Sequence, residues 1–124
     1  MSKIIQTPLA PKAIGPYVQA IQCDSMLFIS GQLPINPENM AVDEGIEAQT
    51  TRCLTHIFSI VEAAGFPRSS IVKLTVYMQD LSQFTEMNRA YESCLAGHRP
   101  TRSTVEVARL PKDVLIEIDA ICHQ

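Results

Sequence analysis

The hydrophobic patterning predicts an α+β fold, a sheet with two helices packed on one face. Three observations carry this. Alternating runs at 17–23 and 26–32 flank Asp24-Ser25, as in a short hairpin. Two helical periods, over 45–64 and beyond residue 80, are separated by an alternating run at 71–78. Two further alternating runs, 102–108 and 114–122, close the chain around Leu110-Pro111-Lys112-Asp113. The order is β-β-α-β-α-β-β or close to it, most simply built with both helices on one side of the sheet.

Each element has its own signals. The first stretch reads as loop, broken by Pro8, Pro11 and Gly15-Pro16. After the first hairpin, Pro34, Asn36-Pro37 and Asn39 mark an irregular connection. The first helix places Ile46, Cys53, Leu54, Ile57, Ile60, Val61 and Ala64 on one face, and Gly65 supplies a stop with Pro67 behind it. In 71–78, Val72, Leu74, Val76 and Met78 fall on one side. Asp80 or Ser82 can cap the second helix, whose buried stripe is Phe84, Met87, Tyr91 and Leu95. Tyr91 on that stripe reads as core with a hydrogen-bonded hydroxyl. Gly97 ends the helix and Pro100 prevents its resumption.

At 124 residues the chain suits one domain, 1–124, able to bury enough surface to fold without disulfide or metal. Hydrophobic residues make up 46% and charged residues 19%, with a mean hydropathy of +0.07. That apolar surplus on a small domain predicts a subunit interface. The net charge is −3 and the basic residues are scattered, which argues against nucleic acid as a partner. No run approaches the ~18 apolar residues of a membrane span, and the N-terminus lacks the apolar region of a secretory leader, so a cytoplasmic protein is expected. Cys23, Cys53, Cys94 and Cys122 form no close pair and read as buried, reduced thiols. They and the dispersed His56, His98 and His123 offer no zinc-ligand spacing, so no metal is expected. His98 reads as a solvated loop histidine.

The last two runs fix where charge can lie. If they pair as a hairpin, one register buries Val114, Ile116, Ile118, Ala120 and Cys122 together with Ser103, Val105 and Val107. Arg102, Thr104, Glu106, Glu117 and Asp119 then share the face away from the helices, with Leu115 and Ile121 among them. Such a face can be solvated, its charges forming incidental ion pairs. Alternatively, another subunit closes it and Arg102 and Glu117 line a polar pocket. A guanidinium fork suits a carboxylate ligand.

Ile14-Gly15-Pro16-Tyr17, Ser30-Gly31-Gln32, Val61-Glu62-Ala63-Ala64-Gly65, Arg102-Ser103 and the block from Val105 to Asp113 resemble the Rid (YjgF-type) family, its RidA subfamily in particular. The resemblance spans nearly the whole chain. It implies a chorismate-mutase-like fold with a mixed sheet, assembled as a homotrimer whose sheets form a central barrel and whose ligand pockets lie between subunits. It implies hydrolysis of enamine/imine species (2-aminoacrylate/2-iminopropanoate, 2-iminobutanoate), released by pyridoxal-phosphate-dependent dehydratases, to 2-keto acids and ammonia, without a cofactor. By the resemblance Arg102 grips the substrate carboxylate, Glu117 positions water, and Tyr17 belongs to the catalytic pocket. Ser30, Gly31, Asn88 and Thr104 border the ligand. Two departures stand out: Thr104 replaces the Cys usual in close relatives, and the 97–101 connection is shorter and lacks the usual aromatic before its proline. A non-catalytic carboxylate-binding or regulatory trimer is the alternative. The ribonuclease activity attributed to some relatives fits poorly with the acidic balance.

Overall fold

The computed structural model describes residues 2–124. A single six-stranded sheet carries strands in the order β1-β2-β3-β6-β4-β5. They are β1 (Ser2–Ile5), β2 (Ala20–Cys23), β3 (Met26–Gln32), β4 (Ile71–Met78), β5 (Thr101–Glu106) and β6 (Ile116–His123), with helices α1 (Ile46–Ala63) and α2 (Phe84–Leu95). α1 lies on β3 and β6 and packs against α2, so both helices cover one face, as the sequence predicts.

β1 is not foreseen by the patterning. Only four residues long and exposed at three of them, it carries no alternation of its own and exists by pairing antiparallel with β2. The second strand begins at Ala20 rather than Tyr17, because Gly15-Pro16-Tyr17 turns on itself and Tyr17 N–H donates to Gly15 O at 2.8 Å. α1 ends as expected. Gly65 takes φ 78°, its N–H and that of Phe66 returning to the carbonyls of Glu62 and Val61. α2 turns left-handed one residue earlier than expected, at Ala96, before Gly97. Asp80 accepts from Ser82 N–H at 2.9 Å, capping a short 3-10 turn that runs into α2. In β4 a register irregularity between Ile71 and Lys73 turns Val72 outward, while Leu74, Val76 and Met78 are buried as expected.

The expected C-terminal hairpin does not form. β5 lies parallel to β4 at the sheet edge, and β6 inserts between β3 and β4, antiparallel to both. Burial explains the choice. Every second residue of β6 from Ile116 to Cys122 is buried and the residues between are half-buried, so it needs neighbours on both sides. β5 has no fully buried residue and tolerates an edge. The β4-α2-β5 segment is a crossover unit, which places β5 beside β4.

This pairing also reverses the expected face of β5. Leu74 pairs with Arg102, Val76 with Thr104 and Met78 with Glu106, so these three share the helix-covered face. Tyr77 pairs with both Val105 and Glu117, and Thr75 with both Ser103 and Asp119, which sets Glu117 and Asp119 on the open face. The same open face carries a cross-strand row of Ile4, Ile21, Phe28 and Ile121.

Candidate active site

Two clefts, one on each side of the sheet, hold the residues singled out in the sequence except Thr104, which lies buried beside the one on the helix side. On the helix side, Arg102 ends the cross-strand row running from Ile29 through Ala120 and Leu74. As the last residue of that row it reaches past the core to α2. Its Nη1 donates to Asn88 Oδ1 at 2.7 Å. Its guanidinium carbon stands 4.7 Å from the ring centroid of Tyr91 and 5.5 Å from that of Phe84. Three α2 residues at helical spacing therefore hold one cation, by a charge-assisted hydrogen bond and by the ring faces. A cleft of about 380 Å³ opens beside it, bordered by Asn88, Tyr91, Leu95, His98 and Pro100.

The Thr104 hydroxyl, on the same face two residues along β5, is buried without a hydrogen-bond partner among the described residues. The Tyr91 hydroxyl has none that meets ordinary geometry either, contrary to the expected hydrogen bond, although the Arg102 guanidinium lies beside the ring. Burial pushes the Tyr91 phenol up from its ordinary range, with Arg102 opposing. Phe84 is half out of the core and serves as a wall for Arg102, a role that a buried-stripe reading does not assign. His98 is not simply solvated. Its Nε2 lies 2.8 Å from Ile71 O and ties the short 97–100 connection to the start of β4.

On the open side the central feature is Glu117. Between Ile29 and Gln32 the β3 register advances three residues against two on β6, a bulge at Ser30-Gly31. Ser30 Oγ donates to Val18 O at 2.6 Å and its N–H to Gln19 O at 2.9 Å, pinning the bulge to the preceding loop. The Glu117 side chain lies over Gly31, where a Cβ would fall on its carboxylate. Burial raises the Glu117 carboxyl above the ordinary carboxylate range, and the nearby charge of Asp119 adds to the effect. Tyr17, Ile14, Leu33 and Pro111 complete a cleft of about 340 Å³ with Ser30, Gly31 and Glu117. The Tyr17 hydroxyl accepts from Ile14 N–H at 3.3 Å.

Gln19 is a supporting residue that the patterning does not reveal. Buried, it accepts from Thr7 N–H and donates to the carbonyls of Thr7, Ala10 and Pro11, fixing the loop that presents Tyr17. A lone glutamine beside a tyrosine carries no sequence signal for this. Glu106 and Asp119, expected as ion-pair partners, instead accept from Leu81 N–H at 2.9 Å and from the Tyr77 hydroxyl at 3.0 Å. Cys53 and Cys122 are buried, the latter's thiol pushed up to about 11 by burial, but Cys23 is exposed and Cys94 half-buried. Among the described residues no three His, Cys, Asp or Glu side chains gather as a metal site would require. No helix among them is long and apolar enough to cross a membrane.

The arrangement thus brings Arg102, Asn88 and Thr104 together on one face and Tyr17, Ser30, Gly31 and Glu117 together on the other. A single chain does not bring the two groups into one cleft.

The six-stranded sheet with a bulged β3 and two helices on one face is an α+β architecture shared with solved proteins. Residues 7–124 match the family model described as Endoribonuclease L-PSP. The 2-iminobutanoate/2-iminopropanoate deaminase of Salmonella typhimurium is 51% identical over 124 residues, covering 98% of this chain and 97% of that protein. The crystal structure of the YjgF gene product of Escherichia coli superposes with a TM-score of 0.95 at 47% identity, covering 98% of each chain. That of E. coli TdcF with bound serine superposes with a TM-score of 0.95 at 44% identity, also covering 98% of each. The chain belongs to the Endoribonuclease L-PSP (YjgF/Rid) family.

Proposed function

We propose that this protein hydrolyses reactive enamine/imine intermediates of the 2-aminoacrylate/2-iminopropanoate and 2-iminobutanoate type to 2-keto acids and ammonia. The observation that carries the reading is the preorganised Arg102, held by Asn88 and flanked by Tyr91 and Phe84 with a free edge toward a cleft. A fixed, delocalised cation of this kind matches a carboxylate in two parallel hydrogen bonds. The buried hydroxyl of Thr104 supplies a further donor on the same face. Similarity at about half of all positions to an imine deaminase supports the same substrate class.

In the reaction, water adds its oxygen to C2 of the iminium and loses a proton, giving a carbinolamine. The carbinolamine then expels ammonia and leaves the 2-keto acid. Arg102 holds the carboxylate next to C2. Glu117, half-buried and less acidic than an ordinary glutamate, takes the proton from water and passes it toward the departing nitrogen. The bulge at Ser30-Gly31 offers backbone groups at the reacting end, and Tyr17 closes that side. The iminium carbon is already electrophilic, so the chemistry calls for no cofactor.

Because Arg102 and Glu117 project from opposite faces of one sheet, the complete site pairs Arg102 of one copy with Glu117 of a neighbouring copy. The row of Ile4, Ile21 and Phe28, each 38% exposed or more, supports burial of the open face in a closed ring of three. This trimer, working in the cytoplasm beside pyridoxal-phosphate-dependent dehydratases that release such imines, is the assembly we propose. Ribonuclease chemistry is not favoured: Arg52, Arg68, Arg89, Arg99 and Arg109 are each paired with a carboxylate, which offsets half of the chain's basic side chains, and the net charge is −3.

The test couples the purified protein to a serine or threonine dehydratase and follows 2-keto acid release, with semicarbazide intercepting free imine. Faster release with wild type and little with Arg102→Ala is expected. The bound serine of E. coli TdcF supports a second reading, a carboxylate-binding module without turnover. Ligand binding with no acceleration of release by wild type would select it.

A further inference from the structure

Beside Glu117 on the open face lies a polar pair that the reaction as described does not use. Tyr77 sits directly opposite Glu117 across β4 and β6, and its hydroxyl donates to Asp119 Oδ2 at 3.0 Å. Asp119 follows Glu117 by two residues on the same strand, so the two carboxylates project from one face, separated by the strand repeat. Both are half-buried, and so is Tyr77. The contact is diagonal, from Tyr77 to the residue beyond its direct partner, and it holds the phenol alongside Glu117.

We propose that Tyr77 and Asp119 are a positioning pair for Glu117: the tyrosine hydroxyl clamps the aspartate beside the glutamate, and the clamped charge keeps Glu117 able to hold a proton as well as release one. The inference rests on the reading of Glu117 as the group that handles the attacking water. A base that deprotonates water and then delivers a proton to nitrogen has to occupy both states, and catalysis is best when neither is strongly favoured. A carboxylate alone in water releases its proton too readily for the second task. A second carboxylate at a fixed separation disfavours the ionised form and corrects this, the like-charge effect.

Within one copy the surroundings leave Asp119 as the charge beside Glu117; in the assembled site Arg102 of a neighbouring copy faces it as well, and the bound substrate carboxylate offsets that cation. On β6 the titratable neighbour of Glu117 is Asp119, on β4 it is Tyr77, with Lys73 on the same face two pairs further along and diagonal to Asp119, and from the loop before β2 it is Tyr17. β3 contributes only Ser30 and Gly31, the turn before β6 contributes Pro111, and β5 contributes Ser103 and Val105 to this face. Through the sheet the buried Cys53 thiol of α1 feels Glu117 and is itself raised, first by burial and then by that charge. The Tyr77 phenol is raised too, by burial and then by its bond to Asp119, so it stays a donor at neutral pH. Burial and Asp119 act on Glu117 in the same direction.

The experiment titrates the Glu117 carboxyl by carbon-13 NMR in the intact oligomer, its signal assigned by loss in Glu117→Gln, and measures kcat/KM against pH on the same samples. Asp119→Asn is expected to move the Glu117 midpoint and the acid limb of kcat/KM together to lower pH, with a several-fold fall in kcat and little change in KM. Tyr77→Phe, which removes only the clamp, is expected to shift both in the same direction by less, and it carries the test should Asp119→Asn misfold. In a Glu117→Gln background Asp119→Asn should change the residual rate no further. A Glu117 midpoint unmoved by both substitutions, or an equal loss in the Glu117→Gln background, overturns the proposal. Midpoints that shift as expected while wild type fails to accelerate imine hydrolysis leave the pair standing and overturn only the deaminase reading.

Discussion

Gly31 and Glu117 occupy one another's space: the glutamate carboxylate lies where a Cβ on residue 31 would be. Gly31 is not among the glycines with positive φ, so its requirement is close approach rather than backbone conformation. Gly31→Ala is expected to fold, push the Glu117 side chain aside, and lower kcat by roughly tenfold or more, since a displacement near 1 Å at a reacting group costs about that or beyond. The check is a steady-state comparison with wild type, with the thermal midpoint measured in parallel. An alanine variant with full kcat would show that Glu117 has no fixed place in the reaction.

Arg102 is only as well placed as Asn88 makes it. A hydrogen bond to a charged group contributes about 1.5–3 kcal/mol, so Asn88→Ala should reduce kcat/KM by roughly tenfold, mostly through KM. Asn88→Asp keeps the acceptor but adds a charge that competes with the substrate carboxylate, and should raise KM as well. If neither variant changes KM for the imine, Asn88 does not orient the arginine during turnover.

The fold was legible wherever local pattern decides the structure. α1, its glycine stop, β3 and β4 follow from period, branching and breakers, and their bounds match within two residues. What failed was pairing. Reading 102–108 and 114–122 as a hairpin assumed that consecutive strands are neighbours, and the helix before Arg102 was the unused signal that β5 belongs to a parallel crossover with β4. One wrong neighbour placed Arg102 and Glu117 on one face, when β4 sets them on opposite faces. The site residues came from the family resemblance, which knows nothing of faces. Phe84 and Gln19 escaped because their roles, a ring beside a cation and a buried amide holding a loop, depend on residues 18 and about a dozen positions away.

The opposite-face relation yields a mixing test. Arg102→Ala and Glu117→Gln should each be nearly inactive alone. When the two are unfolded together and refolded, random pairing around a closed ring gives about one site in four an intact Arg102 and an intact Glu117. Activity should return to that order. A site built within one chain would stay dead in every mixture. Phe28→Asp, on the open-face row, should lower the oligomer's sedimentation coefficient and its activity together.

Glu117 should also leave a mark on stability. Its carboxyl is raised in the folded protein, by burial first and by Asp119 second, so the fold binds this proton more tightly than the unfolded chain does. Stability contributed by the protonated form is therefore present at low pH and lost as pH rises from the ordinary carboxylate range through the raised value. Within a single copy the half-buried charge is a net cost at neutral pH. Glu117→Gln removes that cost, so the variant should melt at a higher temperature than wild type at pH 7 while losing its activity. Below the ordinary carboxylate range, where the wild-type glutamate is already protonated, the advantage should vanish. Thermal midpoints of both proteins across pH measure this directly. A glutamine variant less stable than wild type at pH 7 would mean that the charged carboxylate holds the bulge together, through contacts to the Ser30-Gly31 backbone that outweigh its burial.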